Sequence, residues 1–221
     1  MRFVLLVVAA LAGLVFAGRA NAARYTVVYK TGQAGAAAKA REGGTEKVFA
    51  AARRTAAERQ GTAIHEAAHA VCAVELGLVV ERVSILEGEG KVGLTKVAPA
   101  SNTPTLAQIE DHIVAILAGR AGDVLLGHGA DAGARSDLAL ATQLLTATRT
   151  TYGLRDTLAS RGDEETVTTL LRADSRLLAA VEADLDRLMR RAMEIASTNA
   201  NNIRTVADAL LVGSVLSGAD I

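Results

Sequence analysis

Along the chain, apolar residues recur every three or four positions in some stretches and alternate or run together in others. The first pattern predicts amphipathic helices and the second predicts strands. The clearest helical pattern covers residues 174–198, where Leu177, Leu178, Val181, Leu185, Leu188 and Met193 are separated by charged residues. Another opens at Thr105, which forms a capping-box pair with Gln108 just after Pro104. It runs through Ile109, Ile113, Ile116 and Leu117 to an expected end near Gly127. Residues 62–75 read as a helix closed by Gly77, with a helical lead-in over 45–59. A further helix is expected from about Ser136 to just before Gly153, after the glycine-rich GHGADAGARS, and Asn201 and Asn202 can cap a last one, IRTVADALLVGSVL.

Between these helices, LVVERVSIL and KVGLTKVAP flank EGEG and read as a hairpin or as strands of a small sheet. RYTVVY, residues 24–29, is a strand-like run within a Gly- and Ala-rich stretch, residues 23–44, that otherwise reads as an arm. The expected fold is therefore mainly α, with a small β-sheet or hairpin after the helix that ends near Gly77.

The first 22 residues read differently. Arg2 precedes an apolar run from Phe3 to Phe16, and Ala20-Asn21-Ala22 has the small-x-small form of a cleavage site. A bilayer span needs about 20 apolar residues, so the expectation is a signal peptide removed after Ala22 and an exported, periplasmic or secreted, domain. The alternative is a membrane anchor, since Arg19, Arg24 and Lys30 follow the apolar run and would hold the rest of an uncleaved chain in the cytoplasm. Membrane contact is expected only through this segment. The organisation is then 1–22 signal peptide or anchor, 23–60 arm and lead-in helix, and 61–221 folded domain.

Composition narrows the classes. The 24 basic and 24 acidic residues cancel, which leaves no basic field for nucleic acid. Apolar residues make up 50% of the chain, mostly Ala, Leu and Val, with no Trp and three each of Tyr and Phe. That mixture suits helices packed through small side chains and gives no platform for stacking bases. Cys72 is the only cysteine, so neither an internal disulfide nor a multi-thiolate zinc site is available.

The chemistry concentrates in IHEAAHAVCAVELG, residues 64–77, which contains the pattern H-E-x-x-H. On a helix, His65 and His69 lie one turn apart on one face and can both present a ring nitrogen to one metal ion. Glu66 is rotated from them, within reach of a water held by that metal, and can accept its proton as general base. Packing the same residues into an apolar core would bury Glu66 at high cost. Two histidines need a third protein ligand. The metzincin arrangement is excluded, because Cys72 and Glu75 stand where it requires a glycine and a third histidine. Cys72 shares the histidine face but lies about 10 Å along the axis from His65, and reads as a small core residue. Downstream candidates are Glu110, Asp111, His112, Asp123, His128, Asp131 and Asp137, and spacing alone does not choose among them.

At this point the chain resembles the peptidase domain of the FtsH family of membrane-bound ATP-dependent zinc metalloproteases. IHEAAHAV resembles that family's HEAGH helix, and ERVSIL with KVGLTK resembles the strand pair after it. LAGRAGDVLLG resembles GGRAAEE, GARSDLALAT and TYGL resemble GAxxDLxxAT and YGM in the same order, and LSGADI resembles LDGEEI. The resemblance covers residues 60–221 and implies a helical zincin-like fold with Zn2+ bound by His65, His69 and Asp137, and with Glu66 as the catalytic base. Asp137 also suits a helix N-terminus, where the dipole favours a carboxylate, and Glu110 is the alternative third ligand, in a gluzincin-like site.

The departures are Ala68 for the HEAGH glycine, Asp123 for a glutamate of GGRAAEE, and no G-x-x-x-x-G-K-[ST] phosphate loop in these residues. The expected activity is a zinc metalloendopeptidase acting on unfolded or flexible polypeptides without its own ATPase. Its expected partners are polypeptide substrates, with further copies of itself or a separate ATPase. A strand near residues 91–97 is the expected place for an extended substrate to pair. The rival expectations are a non-catalytic zinc-binding regulatory or adaptor protein of the same fold, and a helical structural protein.

Overall fold

The computed structural model describes residues 27–31, 55–86, 93–163 and 166–221. The 1–22 segment, most of the 23–44 arm, most of the 45–59 lead-in and the EGEG connection lie outside the described residues. The elements run β1 (Val27–Thr31), α1 (Ala56–Glu75), β2 (Val80–Ser84), β3 (Gly93–Val97), α2 (Leu106–Leu126), α3 (Arg135–Thr150), α4 (Val167–Ala173), α5 (Ser175–Thr198), α6 (Ala200–Gly213) and β4 (Val215–Ser217). The fold is mainly α with a small antiparallel sheet, as expected.

α1 starts earlier than the sequence pattern indicates. Thr55 accepts a hydrogen bond from the Glu58 amide, and the Glu58 side chain accepts one from the Thr55 amide, a complete capping box upstream of Gly61. Lead-in and histidine helix are thus one element from Ala56, with Gly61 inside it. A glycine in a helix interior costs roughly 1 kcal/mol, which the buried face that follows outweighs. The helix ends where expected: Gly77 takes a left-handed φ of 71°, and Leu78 donates back to the Ala73 carbonyl. α2 carries the Thr105–Gln108 capping box read from sequence. α6 begins at Ala200, so Asn201 and Asn202 sit in its first turn while Asn199 closes α5 through a bond to the Ile195 carbonyl.

α1 is the central element. It packs against α2, α6 and the inner face of β2 and β3, and α5 covers the other side of α2. Its buried face consists largely of Ala63, Ala67, Ala68, Ala70 and Ala73, so neighbouring backbones approach closely. Larger side chains come from the partners: Ile113, Ile116 and Leu117 of α2, Leu188 of α5, and Ile203 and Leu210 of α6. Each such burial is worth roughly 1.5–3 kcal/mol. In α5 the core-facing positions are Leu177, Val181 and Leu188, whereas Leu178 is half exposed.

The sheet has the order β1-β3-β2-β4, all antiparallel. Of the two expected forms, a hairpin or a small sheet, the second is found, because β1 joins from the arm and β4 from the carboxyl terminus. β3 is consequently interior, paired with β1 on one side and β2 on the other. Among the described residues, no helix is long and apolar enough to cross a membrane.

Candidate metal centre

His65 and His69 sit on successive turns of α1, buried, with ring centroids 4.7 Å apart. α2 runs past them with a matching period of four. The Ala115 carbonyl accepts a hydrogen bond from His69 Nδ1 at 2.8 Å, and Asp123 Oδ2 accepts one from His65 Nδ1 at 2.7 Å. Midway, Gly119 leaves the space the rings need: a Cβ there would lie 2.3 Å from His65 Nε2 and 2.4 Å from His69 Nε2. One stripe of α2, positions 115, 119 and 123, therefore seats both imidazoles. Because a carbonyl and a carboxylate occupy the two Nδ1 positions, the Nδ1 atoms carry protons and the Nε2 atoms are the ones turned towards Asp137.

Asp137 faces both Nε2 atoms. It stands in the first turn of α3, entered through a 3-10 turn, Ala132–Ala134, that Asp131 starts by accepting from the Gly133 amide. Asp137 Oδ2 is 3.1 Å from His65 Nε2 and 3.6 Å from His69 Nε2, while Oδ1 is buried without a hydrogen-bond partner among the described residues. His65, His69 and Asp137 each offer one ligand atom, and these lie within 4.8 Å of one another. Two imidazole nitrogens, a carboxylate and a buried oxygen left unsatisfied are a donor set suited to a zinc-like cation.

The electrostatics agree. Burial alone would push the His65 imidazole down, but Asp123 and Asp137 outweigh it and raise it to about 10. Asp137 is pushed up by burial and held below the usual carboxylate range by His65 and His69. The pocket is built to hold positive charge.

Glu66, fully buried, is turned towards β3. Thr95 Oγ1 donates to Glu66 Oε2 at 2.6 Å and lies 3.1 Å from the Glu66 carbonyl. Gly93 supplies room beside the other oxygen, since a Cβ there would come within 2.2 Å of Oε1.

The remaining candidates are placed elsewhere. Glu110 binds Arg155 and Arg187, and Asp111 pairs with Arg191 at 2.6 Å, so neither joins the histidines. His112 faces the core, where burial lowers it to about 4. His128 and Asp131 are exposed. Cys72 is fully buried, its thiol pushed up to about 12 by burial and then by the Glu75 charge, which fits an inert core residue. Sequence reasoning missed Thr95, Gly93, Gly119 and the Ala115 carbonyl. The spacing of Ala115, Gly119 and Asp123 at four-residue intervals was visible, but only the antiparallel register of α2 on α1 gives it meaning.

The departure at Ala68 also finds its counterpart. A Cβ at Gly122 would lie 2.6 Å from the Ala68 Cβ. The methyl added on α1 is accommodated by a glycine on α2, where the GGRAAEE pattern has an alanine.

Together these features define a helical domain with a buried candidate metal set of two histidines and one aspartate, next to the carboxylate of Glu66. The profile of peptidase family M41 matches residues 52–221, and the chain belongs to that family. It is 30% identical over 181 residues to the ATP-dependent zinc metalloprotease FtsH of Magnetococcus marinus, covering 74% of this chain and 27% of that protein. It is 31% identical over 171 residues to ATP-dependent zinc metalloprotease FtsH 2 of Alkaliphilus metalliredigens, covering 70% and 25%. With FtsH 3 of Sphaerobacter thermophilus it shares 30% identity over 162 residues, covering 71% and 32%. The chain thus spans between a quarter and a third of the length of these relatives.

Proposed function

We propose that the chain is a zinc metalloendopeptidase that cleaves unfolded or flexible polypeptides. The observation that carries this reading is the convergence of His65, His69 and Asp137 on one buried point, with the buried Glu66 next to His65 in the chain. His65, His69 and Asp137 would hold Zn2+, which when bound supplies a Lewis acid that lowers the pKa of water and polarises a carbonyl. Asp123 and the Ala115 carbonyl keep the imidazoles in the tautomer that exposes Nε2.

Glu66 is the general base. Thr95 fixes its Oε2, and Gly93 leaves room beside its Oε1. Its carboxylate takes a proton from the attacking water and returns it to the leaving amine, a role worth roughly 10²–10⁴-fold in rate. The test is hydrolysis of an unfolded, labelled polypeptide by the zinc-loaded protein and by Glu66→Gln. The variant should keep its zinc and lose activity by about that factor. Equal hydrolysis by both proteins, with zinc bound in both, would leave a zinc-binding regulatory domain instead.

A further inference from the structure

β3 is the strand that touches Glu66, through Gly93 and Thr95. Its inner side pairs with β2, and its outer side is covered by β1, which comes from the arm ahead of α1. The β1 register runs from Val27 opposite Val97 to Thr31 opposite Gly93, with Tyr29 opposite Thr95. The backbone of β1 thus passes the two residues that contact Glu66. On its far flank it lies beside α3, the helix that carries Asp137. β1 therefore lies between the strand that holds Glu66 and the helix that carries Asp137.

We propose that β1 is a built-in stand-in for the substrate. The chain's own arm occupies the outer edge of β3 on which an extended polypeptide pairs, and a substrate enters by displacing it. This rests on the peptidase reading above. The exchange is chemically even, because a substrate backbone offers the same ladder hydrogen bonds that β1 gives up. The arm holds the advantage of being part of the same molecule, so it competes at a high effective concentration. Five paired residues at the rim of a small sheet form few enough bonds to be displaced, since each contributes only about 0.5–1.5 kcal/mol net.

Proline tests this in the full-length, zinc-loaded protein. Adjacent residues of an antiparallel strand face alternately towards and away from the partner strand. The double variant Val28→Pro/Tyr29→Pro therefore removes at least one donor to β3. It should raise kcat/KM on an unfolded polypeptide by on the order of tenfold or more. A synthetic peptide of residues 24–32 should then inhibit the variant competitively. Binding is read separately in a Glu66→Gln background, by fluorescence anisotropy of a labelled unstructured peptide, and should tighten by a similar factor with the prolines present.

A second variant works in the opposite direction. Val28→Cys/Lys96→Cys places two thiols at directly opposed positions, close enough to be bridged. The oxidised, cross-linked protein should lose peptide binding and regain it on reduction. Unchanged peptide binding in both the proline variant and the cross-linked protein would overturn the proposal. If hydrolysis depends on Glu66 but ignores both changes, the peptidase reading stands and this one fails. If binding responds to both changes while no Glu66-dependent hydrolysis occurs, the arm occupies a peptide site that does not cleave.

Discussion

Two charged clusters lie against α2, and they are built on opposite principles. Around His65, His69 and Asp137 the donors converge on one point, and a carboxylate oxygen is left without a hydrogen-bond partner among the described residues. Near the amino-terminal end of α2, Glu110 is gripped by Arg155 and Arg187, while Asp184 of α5 takes Arg149 at 2.6 Å and Arg187 at 3.2 Å. In the second cluster the carboxylates face guanidinium groups that saturate them, so they tie α2, α3 and α5 together and have nothing left for a metal. Acidic residues in similar number give a site in one place and a clasp in the other. The difference lies in whether the positive partner is supplied by the chain.

The sharpest way to break this contrast is to exchange the third ligand. Asp137→Ala should abolish stoichiometric zinc, whereas Glu110→Ala should retain it, as measured by metal analysis after dialysis. Zinc lost in the second variant and kept in the first would move the site to the arginine cluster. Next in size is the seat of His65. Asp123→Asn should lower zinc affinity about 10–100-fold without removing a ligand, measured by competition with a chelator of known affinity.

The clasp should respond in stability rather than in metal. Burial pushes the Asp184 carboxyl up, and hydrogen bonds from Arg149 and Arg187 outweigh it, leaving it below the usual carboxylate range. A depressed folded pKa means the stabilisation is fully present above about pH 4 and is lost as the pH falls through the folded value. Asp184→Asn should therefore cost about 1–3 kcal/mol at neutral pH and flatten the acid limb of the stability profile, as read by urea melts across pH. An unchanged acid limb would show that the clasp does not titrate as described.

The smallest effect concerns the seam between α1 and α2. Gly122→Ala should destabilise by about 1–3 kcal/mol through overpacking against Ala68. Adding Ala68→Gly should recover most of it. Additive losses in the double variant would sever the link between the two positions.

Much of the helical framework was legible because capping chemistry and apolar period are local. Thr105 with Gln108 announced α2, and the α5 pattern located Leu177, Val181 and Leu188 in the core. α1 starts upstream of the expected break at Gly61, because the Thr55–Glu58 box caps the helix there and Gly61 is carried inside it. β1 showed as a strand-like run, but its place in the sheet did not, since pairing Val27–Thr31 with β3 spans more than sixty positions of chain, from Val27 to Val97.

By itself, then, the sequence determined which residue types were available. A helix displays His65, Glu66 and His69 in fixed relative positions, because their spacing is a property of the helix and of nothing else. Tertiary structure alone decided the rest. It brought Asp137 rather than Glu110 to the histidines, set Asp123 and Ala115 behind them, held Glu66 with Thr95, and laid β1 along β3. Each of these joins residues far apart in the chain, and no local periodicity encodes the register in which two elements meet.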